Sequence, residues 1–155
     1  MIVRPAAGVE QIVLPSVRDL GHGFQVRRAL PSAQRRMVGP VIFLDSFGPV
    51  AFHAGAGVDT RPHPHIGLST LTRSFSDLFS ADVALRDGAR FRIGVEHAER
   101  AVYVVDGAVE VVAEPGTFGK DRLIVFKTGA EIVLRAVGRQ APHLVELRLK
   151  PARAH

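Results

Sequence analysis

The chain has 155 residues, 46% apolar and 23% charged, an ordinary globular composition that excludes global disorder and sets the expectation of one domain over 1–155. Cysteine is absent, which excludes disulfides, thiolate metal sites and cysteine nucleophiles. The formal charge is +5, from 20 basic and 15 acidic residues, and no run approaches the about eighteen apolar residues of a membrane helix.

In chain order, MIVRPAAGVEQIV has no apolar signal-peptide core, so the expected location is the cytoplasm. Residues 24–30 and 41–47 read as strands, and residues 31–40 and 48–64 as loops. Residues 66–72 read as a further strand, followed by a short helix over 74–79. From there the pattern is regular. Runs at 82–85 and 89–93 flank Asp87-Gly88, and runs at 102–105 and 108–113 flank Asp106-Gly107. An Asp-Gly pair between β-rich runs predicts a hairpin, with glycine taking the positive φ of a type I′ turn. Residues 123–126 and 131–136 flank Thr128-Gly129, Pro115-Gly116 marks another turn, and residues 143–149 alternate polar with apolar. About seven short strands between 81 and 149 predict an all-β sandwich or barrel.

The basic residues are dispersed. Their only doublets are Arg27-Arg28 and Arg35-Arg36, and no aromatic stacking series accompanies them, which argues against a nucleic-acid partner despite an isoelectric point near 10.7.

The residues with the clearest chemistry lie in Arg61-Pro62-His63-Pro64-His65-Ile66-Gly67. At strand spacing His63 and His65 project from one face, and the prolines hold the segment extended. Two such imidazoles plus a carboxylate or a third histidine form a common set for iron, nickel, copper or zinc. The same pair serves equally well as hydrogen-bonding residues of a surface loop, since two ligands do not make a site. His97 and Glu99 of Glu96-His97-Ala98-Glu99 share a face if extended and are the possible additional ligands; otherwise they form a polar rim at a strand entry. His143 opens the last strand, His22 lies between glycines and His155 at the terminus. Asp45 and Asp59 are candidates to orient an imidazole. No GxSxG, P-loop or GxGxxG pattern is present.

Residues 27–52, RRALPSAQRRMVGPVIFLDSFGPVAF, followed by DTRPHPHIGLSTLT at 59–72, resemble the N-terminal half of the pirins, two-domain proteins of the cupin superfamily. The LPS, VGP, FLDxFGP and RPHPHIG elements stand in order over residues 15–72, within a resemblance that takes in 1–72. Residues 81–149 resemble the pirin C-terminal cupin barrel. The resemblance implies a cupin-like β-barrel or jelly roll with additional N-terminal strands, and an iron held in part by His63 and His65. The family's remaining ligands, a His and a Glu, come from a later segment that has no counterpart after Arg73. Ser46 stands where many relatives have a histidine, and pirins are nearly twice as long. Glu99, His97 or His143 would have to complete the set. The resemblance therefore implies a shortened pirin-like protein, non-catalytic or weakly metal-binding, that acts through protein contacts. The alternative is an iron-dependent dioxygenase of the quercetin 2,3-dioxygenase type. Strands deprived of their usual neighbours invite pairing with another chain, so a homodimer, with N-terminal strands in cis or swapped, is expected.

Overall fold

A computed structural model describes residues 8–20, 24–48, 78–138 and 142–149. Every regular element in them is a strand. β1 is Val9–Val13, β2 Ser16–Asp19, β3 Gln25–Leu30 and β4 Leu44–Ser46. β5 is Leu78–Ala84, β6 Arg90–Ile93, β7 Glu99–Asp106 and β8 Ala108–Val111. β9 is Thr117–Gly119, β10 Arg122–Phe126, β11 Ile132–Val137 and β12 His143–Leu149. The expected strand at 66–72 lies outside the described residues. So does most of the expected helix at 74–79, whose last two positions, Leu78 and Phe79, belong to β5. β1, β2 and β9 were not expected: β2 has no apolar alternation and is exposed throughout, and β9 is only three residues long.

The strands form three sheets, ordered β1-β10-β7-β12-β5, β6-β11-β8-β9 and β2-β3-β4. From β5 onward the chain steps repeatedly between the first two sheets. β5, β7, β10 and β12 lie in the five-stranded sheet; β6, β8, β9 and β11 lie in the four-stranded one. This corrects the hairpin expectation. The turns at Asp87-Gly88, Asp106-Gly107 and Thr128-Gly129 do not join paired neighbours; each carries the chain from one sheet to the other. Their geometry differs too. Gly88, Gly107 and Gly129 take φ of 70°, 71° and 74°, whereas Ala113 and Asp121 are the only positive-φ non-glycine residues among those described. A type I′ turn needs two left-handed residues, and these turns have one. The hairpin among these elements is β8–β9, at the turn containing Pro115-Gly116.

Two apolar clusters show how the sheets stack. The first fills the space between the five- and four-stranded sheets with Val102, Val104, Ile124, Phe126 and Leu144 from one and Ile93, Val109, Val111, Ile132, Leu134 and Ala136 from the other. The second lies on the opposite face of the five-stranded sheet. There Ala101, Tyr103, Leu123 and Val125 meet Ala29, Leu30 and Val38 of the N-terminal layer, with Val41, Leu44 and Val105 alongside. β7 and β10 are therefore covered on both faces, which is why they read as unbroken apolar runs and not as alternating ones. A bulge in β1 between Val9 and Gln11 shifts the alternation by one residue, so that Val9 enters the first cluster and Val13 the second.

A Cβ added at Gly129 would meet nothing within 4 Å. Gly129→Ala should therefore cost about 1 kcal/mol from backbone strain alone, and Gly129→Asn less, read as a lower midpoint in urea with an unchanged slope.

Candidate functional site

The expected metal pair, His63 and His65, lies outside the described residues, as do His22, Asp59 and His155. His143 opens β12 with its backbone opposite Ala84 and Asp106. His97 lies in the connection between β6 and β7, half-buried, and its Nδ1 is buried without a hydrogen-bond partner.

Glu99 and Asp45 have other partners. Glu99 accepts a hydrogen bond from the backbone N–H of Gly39, so it ties the 38–41 turn to the start of β7. Asp45 accepts from two nitrogens of Arg28, Nε to Oδ1 at 2.9 Å and Nη2 to Oδ2 at 2.6 Å. That bond holds the Arg28 guanidinium above its ordinary pKa, partly offset by burial, and Phe43 lies 5.7 Å beneath the charge. Bidentate pairing of this kind fixes geometry as well as charge. Asp45 thus orients an arginine within the N-terminal layer.

No group of three or more His, Asp or Glu that could hold a metal converges among the described residues. Among the described residues, those that meet between the two sheets are aliphatic and phenylalanine side chains, most of them packed to near-zero exposure. The described residues do not fit an iron centre.

Sequence reasoning missed the polar features that matter most. Arg100 is fully buried at the start of β7. It donates to the carbonyls of Gly94 at 3.1 Å, Ala130 at 2.8 Å and Lys127 at 2.6 Å. These acceptors offset the desolvation of a buried cation and tie the segment after β6 to the β10–β11 turn. Its signal was its parity with Val102 and Val104. Tyr103, the chain's single tyrosine, donates to Asp121 Oδ1 at 3.0 Å. The other Asp121 oxygen meets Arg27 Nε at 3.1 Å. Burial is the main cause that pushes the Tyr103 hydroxyl up to about 12; a bond with Ser46 opposes it and the Asp121 bond adds to it. Arg27 and Ser46 are cross-strand partners, so this cluster clasps β3 and β4 onto the barrel. At the far side Glu114 accepts from the N–H groups of Gly8 and Val9 and holds the entry of β1.

Two stacked sheets visited in alternation, with an aliphatic core between them, define a cupin-type barrel. The same fold appears in a solved quercetin 2,3-dioxygenase from Acinetobacter baumannii, which aligns over 92% of this chain and 79% of its own with a TM-score of 0.71 at 19% identity. Residues 23–87 match the pirin family model and residues 80–147 the model of the pirin C-terminal cupin domain. The chain belongs to the pirin family. A pirin-like protein of Caulobacter vibrioides is 53% identical over 72 residues, 45% of this chain and 23% of that protein. A Pseudomonas aeruginosa protein provisionally named a quercetin 2,3-dioxygenase is 48% identical over 62 residues, 40% of this chain and 20% of its own. The chain therefore spans less than a quarter of these curated relatives' length in the matched regions.

The clasp has a spectroscopic handle. With one tyrosine in the chain, phenolate absorbance reports Tyr103 alone, and its midpoint should fall near 12, against about 10 once unfolded. The folded state disfavours the phenolate, so this contribution to stability is full below about pH 10 and is lost as pH rises towards 12. A midpoint near 10 in the folded protein would remove the buried clasp. Separately, Glu99→Gln should lower stability by about 1–2 kcal/mol in denaturant melts and leave metal content unchanged; a fall in bound metal would return Glu99 to the ligand set.

Proposed function

We propose that this chain is a pirin-like cupin protein that acts through protein contacts, with no more than loose metal binding and no flavonol dioxygenase chemistry of its own. The observation that supports this most strongly is the filled barrel. An oxygenase needs a cavity in which donors converge on a reacting centre, whereas the described residues that meet between the five- and four-stranded sheets, among them Phe126, Ile124, Leu134 and Val104, are apolar and buried. Of the two extra ligands expected, Glu99 is engaged by Gly39, and two histidines alone do not hold a transition metal firmly. A homodimer in the cytoplasm belongs to the same reading, its test being the mass of the protein in solution.

The competing reading is an iron-dependent dioxygenase of the quercetin type. It is favoured by the names of two similar proteins and by the paired imidazoles of His63 and His65. If iron is held, these two would be ligands and His97, whose Nδ1 has no hydrogen-bond partner, the described residue best able to add a third. Iron would supply a Lewis acid that binds a deprotonated flavonol and dioxygen.

Elemental analysis of the purified protein, with oxygen uptake measured on quercetin, separates the two. The expected result is metal well below stoichiometric and no quercetin-dependent uptake. Stoichiometric iron that disappears in His63→Ala and His65→Ala, together with uptake that disappears with it, would establish the dioxygenase.

A further inference from the structure

The barrel has two outer faces. That of the five-stranded sheet lies under the N-terminal layer at β7 and β10. That of the four-stranded sheet belongs to neither apolar cluster. β6, β11 and β8 turn Ile93, Leu134 and Val109 inward, which by strand alternation leaves Arg90, Arg135 and Glu110 on the outer face.

The register there is unusual. Arg90 stands directly opposite Arg135, and Arg135 directly opposite Glu110. Arg135 is paired with Glu110. Arg90 is exposed and makes no hydrogen bond or ion pair among the described residues. Like charges directly across a strand pair destabilise a sheet, and a single acidic residue at 90 would turn the repulsion into attraction. Alongside, Val112 donates its N–H to Val133 and is 41% exposed, so an aliphatic strip adjoins the arginine pair. Phe91 and Phe118 pack inward against the core, so no aromatic ring on these strands faces outward to stack a base.

We propose that the Arg90–Arg135 pair is a docking site for an acidic protein segment, whose carboxylates bridge the two guanidiniums while its aliphatic side chains cover Val112 and Val133. Arg135 already meets Glu110 and Arg92 meets Glu131 on this face, so a partner carboxylate supplies the counter-charge that Arg90 lacks among the described residues, and Arg forks suit carboxylates bidentately. The site specifies the partner chemistry of the protein-contact function proposed above and rests on that reading. Its failure would leave that reading to other surfaces, because metal content and oxygen uptake test it separately.

The experiment is fluorescence anisotropy at low salt with a labelled peptide that alternates glutamate and valine, run beside an oligothymidine. The expected result is saturable peptide binding that weakens at least about tenfold in Arg90→Glu and in the milder Arg90→Gln, but not in Arg18→Glu on exposed β2. Thermal melts provide a second readout. Arg90→Glu should raise the melting temperature by about 1–3 °C, a gain in stability with a loss of binding that a structural residue would not show. Peptide binding unaffected at Arg90, binding of oligothymidine as tight as that of the peptide, or no saturable binding would each overturn the proposal.

Discussion

β7 and β10, the inner strands of the five-stranded sheet, are buried on both of their faces, and the rest of the molecule is arranged around that fact. β7 and β10 pair in a continuous register from Arg122–Val104 to Phe126–Arg100. Their even positions close the barrel and Ala101, Tyr103, Leu123 and Val125 seat the N-terminal layer. Each fully buried side chain of this size stabilises by about 1.5–3 kcal/mol relative to exposure. A strand used twice in this way commits the side chains of both its faces to packing. β7 and β10 form the central partition of a three-layer stack.

The N-terminal layer is joined to the barrel by acceptors that the barrel supplies. Glu99 receives Gly39, and Asp121 receives Arg27 while Tyr103 of β7 binds the same carboxylate; within the five-stranded sheet, Glu114 likewise receives Gly8 and Val9 at the entry of β1. These are charge-assisted bonds, stronger than neutral ones, and they work beside the apolar contact. Carboxylates that would attract attention as ligands or bases in a barrel of unknown function are here the fasteners between layers. This arrangement accounts for a pirin-family chain in which the N-terminal strands cover a cupin barrel.

Much of the fold was legible and little of the site. The runs at 102–105 and 123–126 identified strands because burial on both faces leaves no polar position to blur them. The Asp-Gly pairs marked true turns but misled about pairing: glycine's left-handed φ fits a turn between sheets as readily as a hairpin, and local sequence does not say which sheet a strand joins. β2 was invisible because an exposed edge strand such as SVRD needs no apolar alternation. Glu99 shared strand parity with His97, but parity says nothing about a third group, and the Gly39 N–H that captures Glu99 is 60 residues away. Asp45 reads in the sequence as a partner for an imidazole; its arginine, Arg28, stands opposite it on β3 in a register set by strand pairing. Tyr103 sat unnoticed in an apolar run because its ring packs like its neighbours and only its hydroxyl is polar.

Leu123 and Ile124 are adjacent on β10, both fully buried, and they face opposite layers. Equilibrium denaturation of Leu123→Ala and Ile124→Ala therefore tests the double-sided sheet most directly. Both substitutions should lower stability by about 2–5 kcal/mol, the range for emptying a packed core position. If Ile124→Ala showed that loss while Leu123→Ala stayed within about 0.5 kcal/mol of the parent, as a surface change does, the N-terminal layer would not be seated on the barrel and the three-layer arrangement would be wrong.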